Sequence, residues 1–332
     1  MKTSELDYEL PPELIAQRPL ERRDESRLLV YERATGAIRH RLFCDLADEV
    51  SCGDLIVLND TKVIPARLRV QRPGGGEAEI LLIEPVEDGL WEALARPSRR
   101  LRPGMRLTSS PVGLRSSSVG GRVVGESSAE LLQELGEGRW LVRLEGEPAG
   151  EAPLPPYIHE RLDDPERYQT VYACEPGSAA APTAGLHFTP ELLARLDVER
   201  VTLHVGLDTF RPVTEDTLDA HALHGERYRV EAAAWERIRA AGRVVAVGTT
   251  TVRVLETLAR DGPLEGRTEL LVTPGFELRR VNALVTNFHL PRSSLLALVM
   301  AFAGVEETRE LYRVAIAERY RFYSFGDAML VL

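Results

Sequence analysis

Residues Thr286 to Phe302 read T-N-F-H-L-P-R-S-S-L-L-A-L-V-M-A-F, where Asn287, His289, Arg292 and Ser293 interrupt a run otherwise apolar enough for a core. Leu284 and Val285, just before it, predict a short buried strand. Pro291 stops that strand, and Ser293 or Ser294 is placed to cap a helix with apolar positions from Leu295 to Phe302. A strand end that opens onto a helix start is where α/β proteins present ligand-binding groups, because the first N–H groups of the helix point at the ligand. This stretch therefore predicts an α/β fold with polar chemistry at its strand ends.

The same logic recurs upstream. V-A-V-G-T-T-T-V-R-V-L-E (Val245 to Glu256) predicts a strand over Arg243 to Val247, a Gly turn and a helix from about Thr251 to Arg260 that Gly262 ends. Thr249, Thr250 and Thr251 stand where hydroxyls and N–H groups can cradle an anion or a carboxylate. Neither a Walker loop nor the G-x-G-x-x-G dinucleotide fingerprint is present. A-A-P-T-A-G-L-H-F-T-P-E-L-L (Ala180 to Leu193) sets small residues around Thr183 and His187, ahead of a helix capped at Thr189-Pro190. A strand over Val201 to Val205 leads into H-V-G-L-D-T-F-R-P-V (His204 to Val213): odd-numbered Val201, Leu203 and Val205 face a core, His204 faces away, and Arg211 precedes Pro212. In H-A-L-H-G-E-R-Y-R-V, a strand over His224 to Val230 puts His224, Glu226 and Tyr228 on one face, with His221 nearby. A carboxylate beside an imidazole makes a competent acid/base pair. Taken singly, each of these also reads as a capped helix, a satisfied structural histidine or a polar strand.

The whole chain has 332 residues, 44% of them hydrophobic, which suits one large or two moderate domains. Apolar runs fall well short of the roughly 18 residues that span a bilayer, and the N-terminus lacks an apolar signal region. Cys44, Cys52 and Cys174 form neither a disulfide framework nor a zinc motif. A cytoplasmic, soluble protein with no metal and no obligate protein partner is expected. Net charge is −10, yet Ala93 to Gly125 holds seven arginines (Arg96, Arg99, Arg100, Arg102, Arg106, Arg115 and Arg122) and no acid, leaving −17 on the rest. A basic island on an acidic body predicts one localised polyanion contact. Around the island, between about residues 64 and 150, short runs (Ala78 to Ile83, Leu90 to Ala95, Arg122 to Val124, Trp140 to Leu144) alternate with Gly, Pro and Ser clusters, as in a small antiparallel barrel. The expected architecture is an α/β main domain with a mixed sheet built from both chain ends (1–63 and 151–332), plus an inserted all-β, barrel-like domain (64–150).

Taken together, L-I-A-Q-R-P-L-E-R-R-D-E-S-R-L-L-V, V-L-N-D-T-K-V-I-P-A-R-L, P-L-P-P-Y-I, Y-Q-T-V-Y-A, A-P-T-A-G-L-H-F-T, H-V-G-L-D-T-F-R-P-V, V-G-T-T-T-V-R-V-L-E, T-N-F-H-L-P-R-S-S-L-L and Y-R-F-Y-S-F-G-D-A-M-L-V resemble, in order, the S-adenosylmethionine:tRNA ribosyltransferase-isomerases of queuosine biosynthesis. Two positions depart from that pattern: Asp208 replaces a small residue, and Leu223 replaces Met. The resemblance implies that S-adenosylmethionine serves as a ribosyl donor. Its sugar moves to the aminomethyl group of 7-aminomethyl-7-deazaguanine at a tRNA wobble position and is isomerised to the epoxycyclopentane, while adenine and methionine leave.

That chemistry needs a base beside the sulfonium, a donor to assist adenine departure and a site that excludes water. On this resemblance Glu226 or His224 is the base, with His221 nearby. Thr183, His187, Thr249, Thr250, Thr251 and Arg253 hold the donor's methionyl end and surroundings, and Asn287 and His289 bind or protonate adenine. Arg99, Arg100, Arg102, Arg211, Arg292 and Tyr320-Arg321 meet tRNA. Two other classes remain open: an S-adenosylmethionine-dependent tRNA methyltransferase, which the missing glycine-rich loop disfavours, and a non-catalytic tRNA-binding protein.

Overall fold

The fold is that of a computed structural model, which describes residues 1–109, 128–146, 148–206, 213–220, 223 and 225–332. In chain order the strands are β1 (Arg27–Glu32), β2 (Ala37–Leu42), β3 (Asp54–Asn59), β4 (Thr61–Val63), β5 (Arg67–Gln71), β6 (Glu77–Glu87), β7 (Leu90–Arg96), β8 (Arg106–Ser109), β9 (Ser128–Gly136), β10 (Arg139–Glu145), β11 (Glu175–Ser178), β12 (Val198–Leu203), β13 (Glu226–Arg229), β14 (Arg243–Val247), β15 (Glu265–Thr268), β16 (Ala283–Asn287) and β17 (Ala328–Val331). The helices are α1 (Leu46–Glu49), α2 (Pro190–Leu193), α3 (Ala232–Ala240), α4 (Thr249–Leu258), α5 (Ser294–Ala303) and α6 (Val305–Ala317). Two compact units divide the chain. One comprises Met1–Lys62, Pro155–Glu175 and Ala181–Leu332, and the other Val63–Leu154 with Pro176–Ala180.

The first unit is built on a nine-stranded mixed sheet, ordered β15-β13-β12-β3-β14-β16-β17-β1-β2. Strands β12, β3, β14 and β16 run parallel, so their carboxyl ends share one edge. β17 is antiparallel to β16 and parallel to β1, which seats it in the interior of the sheet between strands from opposite ends of the chain. Every residue of β3, β16 and β17 is buried, the signature of strands covered on both faces. One face packs Val30, Ile56, Val245, Val285 and Leu330 with Phe43 and Phe188. Helix α4 packs against β12, β3, β14 and β16.

Helix boundaries follow local chemistry. Ser293 caps α5, its hydroxyl accepting from Leu296 N at 3.2 Å, and Thr189 caps α2 in the same way. α4 starts two residues earlier than its apolar pattern suggests, because Gly248 with φ +87° supplies the turn. At its far end the left-handed residue is Asp261 (φ +61°) rather than the expected Gly262. Glycine is needed at 262 for a different reason: a Cβ there would lie 2.7 Å from the Thr257 carbonyl oxygen. On the same helix the fully buried Glu256 carboxylate accepts from the backbone N–H groups of Arg279, Arg280 and Val281 at 2.9 to 3.0 Å and from the Arg260 guanidinium at 2.6 Å.

The second unit is a closed six-stranded barrel, ordered β10-β7-β6-β5-β8-β9. Alternate residues fill it: Leu68 and Val70, Ala78, Ile80 and Leu82, Ala93 and Ala95, Trp140, Val142 and Leu144. That period of two is what the sequence shows between residues 78 and 144. Strands β5, β8 and β9 went unpredicted because polar residues hold their outward positions, leaving two apolar residues in β5, one in β8 and four, broken up by Glu and Gln, in β9. The strand expected over Arg122 to Val124 lies outside the described residues.

Candidate active site

A pocket opens in the first unit at the carboxyl edge of the parallel strands, the position at which open α/β sheets bind ligands. It is lined by Thr183 and its neighbours Pro182 and Ala184, by Val205 beyond β12, by Thr249 and Thr250 at the start of α4, and by Thr286, Asn287 and His289 at the end of β16. Phe288, Leu295 and Val205 give it apolar walls, and Tyr157, Tyr323 and Ser324 complete it. No carboxylate, lysine or arginine stands among these lining residues. Distant motifs therefore meet in one cavity, with two helix-initiating threonines on one side and a polar strand end on the other.

Asn59, the last residue of β3, locks that edge. Its amide donates to Leu203 O at 2.9 Å and to the Thr250 hydroxyl at 3.3 Å, while its oxygen accepts from Leu203 N at 3.0 Å and Thr61 N at 3.2 Å. Asn287 is 2% exposed; its amide nitrogen donates to Tyr323 O at 3.1 Å and lies 3.2 Å from His187 Nε2. His187 is stacked on Phe43 with ring centroids 4.8 Å apart, and its Nδ1 is 2.7 Å from the Ser26 hydroxyl. Burial, with Arg321 and Arg23 nearby, pushes its pKa down to about 3. His289 is likewise buried, with Nε2 2.7 Å from the Thr286 hydroxyl, and desolvation pushes its pKa down to about 3. Both imidazoles are thus neutral at pH 7, and His289 offers a hydrogen bond rather than a stored proton.

Several expected residues stand elsewhere. Thr251 does not face the pocket: its hydroxyl turns back to the Val247 carbonyl at 2.7 Å, a common way to satisfy a buried hydroxyl inside a helix. Nor does Arg253 line it. Its guanidinium is buried against Glu226 in an ion pair and donates to Leu270 O at 3.1 Å and Thr268 O at 2.9 Å. Glu226 is itself buried on β13 and accepts from Gly206 N at 2.8 Å, directly behind the pocket residue Val205. His187 sits one layer behind Asn287, and Thr183 lines the pocket as expected. His204 points away from the core toward Thr61, 2.9 Å from its hydroxyl. His221, His224, Arg211 and Asp208 lie outside the described residues.

The expected tRNA contacts also divide. Arg321 is half-buried and clamped onto Asp327 at 3.2 Å, and Tyr320 is buried under the Arg27 guanidinium with its hydroxyl 2.7 Å from His40 Nδ1. Arg292 is exposed, on a left-handed backbone with φ +55°. In the barrel unit, Arg96, Arg99 and Arg100 are exposed and have no carboxylate partner among the described residues. Arg102 is exposed too, but its guanidinium donates to Leu101 O at 2.7 Å and Arg99 O at 3.1 Å. Sequence reasoning gave no role to Asn59, Ser26, Tyr157, Tyr323 or Ser324, although all stand inside quoted motifs. Among the described residues no group of three or more His, Cys, Asp and Glu is gathered as for a metal ion, and no helix is long and apolar enough to cross a membrane.

The comparisons bear on the whole chain. An S-adenosylmethionine:tRNA ribosyltransferase-isomerase from Rubrobacter xylanophilus is 56% identical over 100% of this chain and 98% of its own length. One from Carboxydothermus hydrogenoformans is 50% identical over the full length of both. The crystal structure of S-adenosylmethionine tRNA ribosyltransferase from Thermotoga maritima matches with a TM-score of 0.55 at 40% identity, covering 99% of this chain and 100% of that one. A family model described as "Queuosine biosynthesis protein" matches residues 3–331. With pocket, sheet and barrel all inside that match, this chain belongs to the queuosine biosynthesis protein family.

Proposed function

We propose that this chain is an S-adenosylmethionine:tRNA ribosyltransferase-isomerase whose acceptor is 7-aminomethyl-7-deazaguanine at the wobble position of a cytoplasmic tRNA. The observation that carries the reading is the meeting of A-P-T-A-G, V-G-T-T-T and T-N-F-H-L in one pocket at the carboxyl edge of the sheet. Its uncharged, partly apolar lining suits the planar base of the donor, and the buried Asn287 acceptor, which has no partner among the described residues, supports that fit. Thr249 and Thr250, at the positive end of α4, hold the donor's anionic end. Asn287 and the neutral His289 hold adenine.

Glu226 or His224 takes the proton next to the sulfonium. Arg253 fixes the Glu226 carboxylate in place through their ion pair, and so positions a base instead of binding methionine. The enzyme needs no metal and no obligate protein partner. Arg99, Arg100 and their neighbour Arg96 engage tRNA phosphates, and Arg292 and Arg211 engage phosphate or the modified base.

The decisive assay incubates the protein with S-adenosylmethionine and tRNA carrying the modified base. Adenine plus methionine is the expected pair of released products. S-adenosylhomocysteine identifies a methyltransferase instead, and no turnover a binding protein. Glu226→Gln and His224→Ala separate the two bases: one of them drops turnover by about 100-fold or more, and near-normal turnover in both removes the assignment.

A further inference from the structure

The proton positions around Asn287 follow from groups that can only accept. The Tyr323 carbonyl oxygen lies 3.1 Å from the Asn287 side chain and accepts from Gly326 N at 3.0 Å. A carbonyl cannot face another oxygen at that distance, so the Asn287 atom turned toward it is the NH2. A second chain of bonds reaches the same answer. The Ser26 hydroxyl donates to the Arg23 carbonyl at 3.2 Å, so its oxygen accepts from His187 Nδ1–H at 2.7 Å. His187 Nε2 is then the bare nitrogen, and it accepts the second N–H of Asn287 at 3.2 Å. Both donors of the amide are thus used, one by the Tyr323 carbonyl and one by His187. Its oxygen is buried and has no partner among the described residues. A buried acceptor left unmade costs about 1 to 3 kcal/mol, which a ligand donor in the pocket relieves.

The geometry points to Asn287 Oδ1 as the acceptor for the exocyclic 6-amino group of the donor's adenine, with Ser26 and His187 as positioning residues that hold the amide in that orientation. This deepens the ribosyltransferase reading and rests on it. The donor it selects is neutral and planar. With the methionyl end held at Thr249 and Thr250, Asn287 Oδ1 is left to the base. Phe288, Pro182, Val205 and Leu295 offer a flat ring apolar surface. The neutral state of His187, held by its burial, keeps Nε2 free to accept.

The test compares S-adenosylmethionine with its analogues bearing hydrogen or a keto oxygen at purine C6, in the presence of modified tRNA. The wild-type enzyme is expected to lose about 10-fold or more in kcat/KM with the 6-hydrogen analogue, the worth of one well-placed hydrogen bond. It loses more with the 6-keto analogue, whose oxygen faces Oδ1. Asn287→Leu is expected to bring the first ratio within about threefold of unity. Ser26→Ala, which only loosens the amide, lowers the ratio partway while thermal melting shows the protein folded; a merely structural serine leaves that ratio unchanged. Should Asn287→Leu fold poorly, equilibrium binding of the two donors to folded Ser26→Ala decides, with undiminished discrimination overturning the proposal. Full discrimination in folded Asn287→Leu overturns it as well. If the wild type releases no adenine from S-adenosylmethionine, the ribosyltransferase reading itself fails; if it releases adenine but treats the three donors alike, only the Asn287 assignment does.

Discussion

The barrel and the mixed sheet manage polar side chains in opposite ways. In the barrel, a period of two sends Arg and Glu outward and Leu, Ile, Ala, Val and Trp140 inward, so its charged groups stand on the outer face. The central strands of the sheet have no wet face. There polar residues gather where strands end: Asn59, Thr286 and Asn287, with Glu226 beside them, nearly all tied to named partners. A polar group at these strand ends is therefore costly to disturb, whereas Arg96, Arg99 and Arg100 on the barrel are exposed with no carboxylate partner among the described residues.

The largest expected effect that tests this contrast comes from Arg253→Ala, which strands the buried Glu226 carboxylate. Stability should fall by about 3 to 5 kcal/mol in urea unfolding, and a loss under about 1 kcal/mol would mean that water reaches Glu226 as readily as it does a barrel carboxylate. Acid is the next lever. His187 and His289 stay neutral in the folded chain down to about pH 3, but in the unfolded chain they take up protons near pH 6.5. The unfolded chain therefore binds more protons between those values. Stability is complete above about pH 6.5 and declines toward pH 3, by roughly 2 kcal/mol per histidine at pH 5. Residues 63–154 contain no histidine, so the sheet unit should loosen first. Urea titrations at pH 7 and pH 5 check this, and His289→Gln should remove about a third of the acid sensitivity, since His204, which burial pushes down to about 4, shares in it.

Ser293→Ala, which removes the α5 cap beside the pocket, should cost about 1 kcal/mol, read as a lower unfolding midpoint at unchanged slope. The smallest change in stability belongs to the barrel. Replacing Arg96, Arg99 and Arg100 by Ala should shift stability by less than about 0.5 kcal/mol. It should nevertheless weaken tRNA binding and reduce the slope of log K against log salt by roughly 2 to 3. An unchanged salt slope would leave these arginines as ordinary solvated surface.

Much of this was written in residue patterns. β14 falls on the residues its apolar run marks, Thr189 and Ser293 cap as their positions suggest, and the alternation from Ala78 to Leu144 announces the barrel. Thr183, Thr250, Asn287 and His289 stand in three separate motifs that the family resemblance joined, and the fold brings them to one pocket. What stayed hidden depends on where a side chain turns after the backbone is set. Thr249, Thr250 and Thr251 are identical letters, yet a helix spreads them over about 200° of arc, and the third finds its own carbonyl. Arg253 and Arg321 looked like anion binders because sequence shows a charge and not its partner, and Glu226 and Asp327 already occupy them. Ser26 stands in a quoted motif, but nothing in its neighbours shows its role. Its relevance arises from a histidine 161 residues away.

β17 is the last of the nine strands in chain order, yet it lies between β16 and β1, whose own residues come almost three hundred positions earlier. Until Ala328–Val331 insert, β1 and β2 form a hairpin with one bare edge, and β16 ends the parallel block with another. During synthesis the nascent polypeptide must carry two sticky, hydrophobic borders while the barrel beyond residue 63 is already closing. Removing those four residues would leave the halves of the sheet without a seam, so a short deletion far from any reacting atom should be among the most damaging to yield of folded protein.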